Sequence, residues 1–557
     1  MSSSAAHPAP AHRLYRWIQS DRNDMLLVFL YAVASSIVAL TIPVTVQAMV
    51  NTVAFGTVIQ PVVVLAFLVF AGLATAALFR ALQARLVETI QERLFARTAL
   101  QLSHRLPRVD ATAHEDAHGP ELVNRFFDVV TIQKSGSTLL VDGSALALQT
   151  LVGMIVLAFY HPFLLAFDVL LVLAMLFVFL WLGRGAERTA IVESKAKYQT
   201  AAWLQEMMRH PLMFKGTGGE RFAVSRTYEL TQEYLTTRRA HFRVLFRQHV
   251  GALGFQVVFS SLLIAIGGIL VMNKQLTLGQ LVAAELIVSG VLAGFSKVGK
   301  QLESLYDMLA GFDKLGHLLE LPQETGGKST FLDRYTGPAS VTVRDVTFAY
   351  PGRRLLEGAS LELRAGERIA LTGANGSGKS SLMNLFYGLR PPQSGVIEID
   401  GEPIPTVSVK SLRTHVAMVR GIEIFEGTIL ENVIAGRPEV TPDDARIALE
   451  AVELWNEVKQ FPQGVDTPLT SYGAGLSLGQ ARKLVIARAV VAKPRLLLLD
   501  ESLDDLDART RERVAGYLFA RERPWTIVVT THDTATLRYC TRTIVLQDGQ
   551  LLDGGRP

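Results

Sequence analysis

The 557-residue sequence is poor in cysteine and in charge. Its single cysteine, Cys540, can form neither an internal disulfide nor a cysteine-based metal site. Charged residues make up 19% of the chain and hydrophobic residues 49%, whereas soluble domains carry about 25% charged residues. This composition excludes a disulfide scaffold and argues against a chain that is water-soluble throughout.

Residues 1–24 lack the apolar run and the small-residue cleavage site of a secretory signal peptide. We expect a short polar arm there, on the cytoplasmic side. The formal net charge of +4 would suit a nucleic-acid partner, but the arginines flank apolar runs, which is typical of membrane loops. No nucleic-acid partner is therefore expected.

Apolar residues concentrate before about residue 300, and six runs approach the roughly 20 residues that a membrane-spanning helix needs. The predicted spans are 25–50, 58–80, 137–160, 163–183, 249–272 and 276–298. The connection 51–60 has no charged residue, whereas 80–134 holds eight Lys or Arg and 184–247 holds twelve. This asymmetry predicts a membrane protein with both termini and the two long connections in the cytoplasm. The two basic connections contain few helix breakers, so we expect the helices to continue beyond the membrane.

Three acidic residues lie inside the predicted spans. Charge at membrane depth is costly and usually faces a cavity or a partner. Glu285 is the deepest, and both a place on a substrate path and a structural role stay open for it. Asp142 and Asp168 lie nearer the span ends, where we expect hydration at the membrane interface.

Residues 25–320 are thus predicted to form an all-α membrane domain, 321–338 a polar linker, and 339–557 an α/β domain with a largely parallel sheet. Segment 367–389, ERIALTGANGSGKSSLMNLFYGL, matches the phosphate-binding pattern G-x-x-x-x-G-K-[ST] between a strand and a helix. Backbone amides of such a loop bind phosphates, and the hydroxyl after the lysine can ligate Mg²⁺. The predicted ATP-binding residues are Gly373, Ala374, Asn375, Gly376, Ser377, Gly378, Lys379, Ser380 and Ser381.

Three further polar residues follow β-rich runs. In RLLLLDES, Asp500 ends an apolar strand and is expected to hold Mg²⁺ through water, while Glu501 can polarise an attacking water. In IVVTTHD, His532 is a candidate contact for the γ-phosphate. A histidine in this place is often structural, so this role depends on the neighbouring motifs.

The order of phosphate loop, LSLGQ, LLLLDE and TTHD resembles the ATP-binding cassette family, and six preceding spans with long extensions resemble its exporter branch. The likeness covers about residues 20 to 550. It implies a half-transporter that fuses a six-helix membrane domain to a nucleotide-binding domain and hydrolyses ATP with Mg²⁺ as a dimer. A fainter likeness at 125–143 is to bacterial type I secretion and peptide exporters, which implies the bacterial inner membrane, and no N-terminal peptidase is expected.

The resemblance also assigns roles by position. Tyr350 in VTFAYPG is similar to the aromatic residue that stacks on adenine, and Lys379, Glu501 and His532 take the catalytic positions. The signature that closes over the partner subunit's ATP falls on Ser477, Leu478, Gly479 and Gln480. Because cassettes of this family pair head to tail, each site would combine the phosphate loop of one chain with the signature of the other.

Three positions depart from the family pattern. Leu478 replaces a glycine, which adds bulk and restricts the backbone, so we expect slower closure of the nucleotide site. Arg420 stands where the family has a glutamine that senses Mg²⁺, and a guanidinium cannot accept a hydrogen bond from metal-bound water. It could pair instead with phosphate or with an acid on a loop tip. Ser471 stands where exporters usually have a glutamate.

The leading hypothesis is ATP-driven export of a peptide, lipid or other amphipathic compound by a homodimer. The alternative is a slow or non-hydrolysing ATP-binding subunit that acts as a regulator or as half of a heterodimer, which Arg420 and Leu478 favour. Retention of Glu501 and His532 argues against that alternative. Membrane lipid and a periplasmic adaptor are further candidate partners.

Overall fold

The computed structural model describes residues 10–55, 59–114, 123–470, 473 and 475–555. They form two compact units: Met1–Arg108 with His114–Leu321, and Val109–Ala113 with Pro322–Pro557. Val109–Ala113 belongs to the second unit because Val109 pairs with Gln323 as an isolated antiparallel bridge. The sequence-based boundaries at residues 24, 320 and 338 stay predictions.

The first unit is helical. Its α-helices are α1 (Pro10–Ser20), α2 (Arg22–Ala39), α3 (Thr41–Phe55), α4 (Ile59–Arg105), α5 (Asp128–Thr138), α6 (Ser144–Tyr160), α7 (Pro162–Leu176), α8 (Ala186–Arg209), α9 (Pro211–Lys215), α10 (Gly219–Met272) and α11 (Leu278–Leu319). Single 3₁₀ turns occur at Leu106–Arg108, Ala111–His114 and Arg125–Phe127, and π-helical segments at Leu139–Gly143 and Phe177–Leu182. At 1.5 Å per residue, α4 is about 70 Å long and α10 about 80 Å. The prediction that helices continue well past the apolar spans is confirmed.

Within the described ranges, five helical segments are long and apolar enough to cross a membrane: Arg22–Thr52, Ile59–Arg108, Arg125–Tyr160, Pro162–Leu182 and Gly219–Met272. The sixth predicted span, 276–298, falls on the first half of α11. There the apolar stretch found among the described residues is the shorter Leu278–Val291, and the side chains at 292, 293 and 295–299 lie outside the description.

The N-terminal segment, expected as a polar arm, is helical where it is described. Over residues 10–20 it is an amphipathic helix whose Trp17 ring lies 5.9 Å from the ring of Phe312. Arg13, only 7% exposed, forms an ion pair of 2.6 Å with Glu320. Apolar and charged side chains recur at helical spacing in this segment, which attaches it to α11, and the cytoplasmic placement of residues 1–24 stays a prediction.

The second unit contains a mixed set of strands and short helices. The strands are β1 (Val341–Tyr350), β2 (Arg353–Leu363), β3 (Arg368–Thr372), β4 (Ser394–Ile399), β5 (Glu402–Pro403), β6 (Val416–Arg420), β7 (Gly427–Thr428), β8 (Pro468–Leu469), β9 (Leu496–Asp500), β10 (Thr526–Thr530), β11 (Arg542–Gln547) and β12 (Gln550–Gly555). The helices are α12 (Lys379–Phe386), α13 (Val409–His415), α14 (Ile429–Ile434), α15 (Pro442–Ala451), α16 (Trp455–Val458), α17 (Leu478–Val490), α18 (Ala508–Leu518) and α19 (Thr534–Leu537), with 3₁₀ turns at Phe331–Arg334, Ile404–Thr406 and Gly464–Asp466.

A six-stranded sheet carries the nucleotide motifs. Its order is β12-β11-β3-β10-β9-β6, and every neighbouring pair except β11 with β12 is parallel. All five residues of β9 are buried, with Leu497 and Leu499 in one core cluster and Leu496 and Leu498 in another. The sheet is therefore covered on both faces, which explains the unbroken apolar run before Asp500. The predicted parallel sheet is confirmed, and an antiparallel sheet of order β2-β1-β4-β5 accompanies it.

Candidate nucleotide site

The glycine-rich loop joins the end of β3 to the start of α12. Gly373, Gly376 and Gly378 adopt φ angles of +145°, +77° and +113°, a region that glycine enters at no steric cost. A side chain at Gly373 would also place its Cβ 2.4 Å from the carbonyl oxygen of Leu546. The backbone of this loop therefore requires the glycines that the motif supplies.

Two polar side chains in the loop fit an anionic ligand. The Lys379 ammonium, 7% exposed, donates to the carbonyl oxygens of Gly373 at 2.9 Å and Ala374 at 3.1 Å. The Ser377 hydroxyl is buried and has no hydrogen-bond partner among the described residues. A buried charge and an unsatisfied hydroxyl are both costly unless a ligand satisfies them, so the loop suits a phosphate chain.

Asp500 lies at the carboxyl end of β9, with 7% exposure. The Thr530 hydroxyl at the end of β10 donates to its Oδ1 at 2.8 Å. A carboxylate together with the Ser380 hydroxyl at the start of α12 is a donor set suited to Mg²⁺, which prefers one or two protein oxygens together with substrate phosphates and water. The described residues contain no cluster of three or more His, Cys, Asp or Glu that could hold a metal alone.

Glu501 is held in an unusual backbone conformation. Its φ is +50°, which costs a non-glycine residue about 1–3 kcal/mol and persists only where the surroundings enforce it. Here the Glu501 amide donates to both the Thr530 hydroxyl at 2.9 Å and the Thr530 carbonyl at 3.2 Å. The half-exposed carboxylate is thereby directed away from the core, and its Oε1 lies 3.7 Å from Nε2 of His532.

A cavity of about 470 Å³ gathers most of the predicted nucleotide residues. Its lining includes Tyr350, Asn375, Gly376, Gly378, Lys379, Ser380, Ser381, Glu501 and His532. The other three predicted loop residues, Gly373, Ala374 and Ser377, line a second cavity of about 540 Å³. Asn375 and Gly376 line both cavities.

The signature residues Ser477, Leu478, Gly479 and Gln480 line neither cavity. They begin α17, where the Ser477 hydroxyl accepts from the Gln480 amide at 3.2 Å and the Gln480 side chain accepts from the Ser477 amide at 2.8 Å. This capping box fixes the helix N-terminus. Leu478 is helical and 58% exposed, so its backbone is unstrained and its bulk faces outward.

Replacing Leu478 with glycine is expected to lower the stability of the domain by about 1 kcal/mol at most, because glycine is a poorer helix former and the side chain contributes little burial. Thermal unfolding of the two proteins checks this expectation. A loss of several kcal/mol would show that Leu478 packs more tightly than its exposure indicates.

Arg420 contacts the proposed metal ligand instead of a loop tip. It ends β6 in register with Asp500, and its Nε lies 3.6 Å from Asp500 Oδ2. Its Nη1 donates to the Asn384 side-chain oxygen at 3.1 Å. The altered position therefore places a cation where a magnesium-sensing glutamine was expected. Ser471 lies outside the described residues.

Four residues near the site were not predicted from the sequence. Thr530 binds Asp500 and Glu501, Asn384 binds Arg420, Arg353 donates to the carbonyl oxygen of Gly376 at 2.5 Å, and the Arg390 guanidinium lies 4.8 Å from the centre of the Tyr350 ring. Thr530 directly precedes Thr531 and His532 in the motif IVVTTHD, so the sequence offered a signal for it. The other three carry no motif, because their contacts depend on the tertiary fold.

The acids of the membrane unit differ from one another. Glu285 accepts from the Ser289 hydroxyl at 3.0 Å, while its second oxygen is buried without a partner among the described residues. Asp168 is 5% exposed between core residues Leu164 and Leu171, so the expected interfacial hydration is wrong for it. Asp142 is exposed and lines a cavity of this unit.

Models of known protein families match both units. A family described as "ABC transporter" matches residues 356–504, and one described as "ABC transporter transmembrane region" matches residues 25–294. A solved structure of a bacterial Atm1-family ABC exporter with ATP bound superposes with a TM-score of 0.85 over 96% of this chain and 95% of that one. At 21% identity, this likeness shows the fold.

Proteins similar to this chain include two mycobacterial transporters. The chain is 27% identical to a fatty acid ABC transporter ATP-binding/permease protein of Mycobacterium bovis, over 85% of this chain and 75% of that protein. It is 29% identical to a mycobactin import ATP-binding/permease protein of Mycolicibacterium thermoresistibile, over 57% of this chain and 55% of that protein. Both are similar proteins that join a permease to an ATP-binding domain.

Proposed function

Because the chain belongs to the ATP-binding cassette transporters, with their membrane and ATP-hydrolysing domains fused, we propose that it exports an amphipathic compound across the bacterial inner membrane as a homodimer. Both termini and the nucleotide-binding domain lie in the cytoplasm in this proposal. The observation that supports it most is one cavity that combines Lys379 and Ser380 with Glu501 and His532.

The residues of that cavity divide the chemistry among them. Tyr350 stacks on the adenine, the loop amides and Lys379 bind the phosphates, and Glu501 orients the attacking water with His532 beside it. Ser380 and Asp500 would hold Mg²⁺, which when bound neutralises charge on the phosphates. The strained backbone at Glu501 fixes the direction of the carboxylate before the substrate arrives, which lowers the cost of reorganisation.

Dimerisation follows from the position of the signature. Ser477 through Gln480 begin a capped helix that lines neither nucleotide cavity of its own chain. A helix N-terminus binds anions, so this one is available to the ATP of a partner subunit. Since this chain supplies both a complete phosphate loop and a signature, two copies suffice, which favours a homodimer over a heterodimer.

A second candidate function is a slow ATP-binding subunit. The observation that favours it is the pairing of Arg420 with Asp500, since a cation beside a metal ligand competes with the metal. We place it second because Glu501 and His532 are both present in the cavity.

The transported compound is proposed to be a lipid or an amphipathic peptide. The fatty acid transporter of M. bovis matches over most of both chains, which supports a lipid. The mycobactin relative is named as an importer, so direction needs a direct test. A periplasmic adaptor remains a candidate partner.

Transport in vesicles tests this function. With the nucleotide-binding domains facing outward, Mg²⁺ and ATP are expected to drive a fluorescent fatty acid into the lumen. Omission of Mg²⁺ is the control. ATP-driven loss of the probe from preloaded vesicles would indicate import, and binding of ATP without hydrolysis would support the second candidate. Protein that remains monomeric with bound nucleotide would contradict the dimer.

A further inference from the structure

A polar cavity of about 450 Å³ lies within the membrane unit, among α4, the π-helical segment Leu139–Gly143, α6 and α11. Its charged lining consists of Arg80, Lys300 and Asp142. Two cations against one carboxylate give the cavity a positive balance. Among the described residues neither Lys300 nor Asp142 forms an ion pair, and Arg80 contacts only the neutral Ser35 hydroxyl at 3.3 Å.

The same cavity contains buried hydrogen-bonding groups that lack partners. Gln83, 1% exposed, donates to the carbonyl oxygen of Leu140 at 2.8 Å and to the Ser144 hydroxyl at 3.1 Å. Its own oxygen has no partner among the described residues, and neither has the side-chain oxygen of Gln301. An unsatisfied buried acceptor is costly, so both oxygens suit a ligand that carries N–H or O–H groups.

The backbone around the cavity also departs from a regular α-helix. The wall at Leu139–Gly143 is π-helical, a conformation that is rare and frequently found at functional sites. Apart from the polar Gln149, the remaining lining is apolar or small, including Val141, Leu146 and Gly290. Charge, acceptors and an apolar surface thus occur together in one place.

We propose that this cavity binds the headgroup of an amphipathic anion that also carries a hydrogen-bond donor, with Arg80 and Lys300 facing the negative charge and Gln83 and Gln301 accepting from the donor. The positions of Arg80 and Lys300, at the ends of predicted spans 58–80 and 276–298, place that headgroup near the membrane interface. This inference rests on the proposed transport function and narrows its substrate class.

Three matched probes test the proposal on the purified full-length protein in lipid nanodiscs. N-lauroylglycine carries a carboxylate and an amide N–H, laurate carries only the carboxylate, and N-lauroylglycine methyl ester carries only the N–H. We expect N-lauroylglycine to bind at least threefold more tightly than either other probe. Equal binding of N-lauroylglycine and its methyl ester would overturn the charge assignment. Equal binding of N-lauroylglycine and laurate would overturn the donor assignment.

Variants locate the site. Arg80→Gln and Lys300→Gln are each expected to weaken N-lauroylglycine about fivefold and to leave the methyl ester unchanged. The control is Arg85→Gln, which removes an exposed charge from the same helix outside the cavity. Unchanged affinity in both cavity variants, or no binding of any probe, would overturn the proposal. Basal Mg²⁺-dependent hydrolysis, measured in parallel, shows whether the proposed function itself has failed.

Discussion

Replacement of Glu501 with glutamine is expected to reduce ATP hydrolysis by about 100-fold or more while leaving nucleotide binding intact. A general base contributes about 10²–10⁴-fold to a rate, and an amide cannot take up the proton of the attacking water. The side chain is 55% exposed, and its Oε1 lies 3.7 Å from Nε2 of His532. The substitution therefore removes almost no packing, and the free energy of unfolding should change by about 0.5 kcal/mol or less.

Single-turnover hydrolysis and the affinity for ATP, measured on the same preparation, separate the two effects. Glu522→Gln is the matched control, because it makes the same change at an exposed position that lines neither nucleotide cavity. Hydrolysis that survives in Glu501→Gln within a few fold of the original rate would show that another group activates the water, and His532 would be the first to examine.

The sequence could predict those parts of the site that are contiguous along the chain. The phosphate loop and the pair Asp500 and Glu501 each lie in one short segment whose flanking strand and helix are legible from apolar periodicity. The pairing of Arg420 with Asp500 was out of reach, since it depends on β6 lying beside β9 in a particular register. The antiparallel sheet escaped notice for the same reason, because its strand order is set by pairing across distant segments.

In the membrane unit the apolar runs located the helices but not their interruptions. Span 25–50 contains a break at Leu40, between α2 and α3. Pro43 explains it, because a proline has no amide to donate to the carbonyl four residues earlier, at Ala39. No comparable residue in the sequence signals the π-helical segment Leu139–Gly143, because its conformation depends on contacts with other helices of the unit. Gln83 bonds to the Leu140 carbonyl from a helix 57 residues away in sequence.

Replacement of Arg420 with glutamine is expected to lower the Mg²⁺ concentration needed for tight nucleotide binding by about tenfold, equivalent to about 1.4 kcal/mol. The Arg420 guanidinium lies 3.6 Å from Asp500 Oδ2, and Asp500 is 7% exposed. A positive charge so close to a buried carboxylate opposes the approach of a divalent cation. Glutamine removes that charge and supplies an oxygen that can accept a hydrogen bond from water on the metal.

The measurement is a Mg²⁺ titration of ATP binding in the Glu501→Gln background, where hydrolysis does not intervene. Arg420→Lys is the matched control, since it keeps a positive charge at this position and should retain most of the original Mg²⁺ requirement. Asn384→Leu removes the acceptor that holds Nη1 at 3.1 Å, so it should give an intermediate requirement. If Arg420→Gln and Arg420→Lys shift the titration equally, charge at this position does not control the metal, and the altered residue would have to act through geometry instead. A shift confined to Arg420→Gln would show that the charge of Arg420 competes with Mg²⁺ at Asp500. A rise in free Mg²⁺ would then displace the guanidinium before the nucleotide is tightly bound.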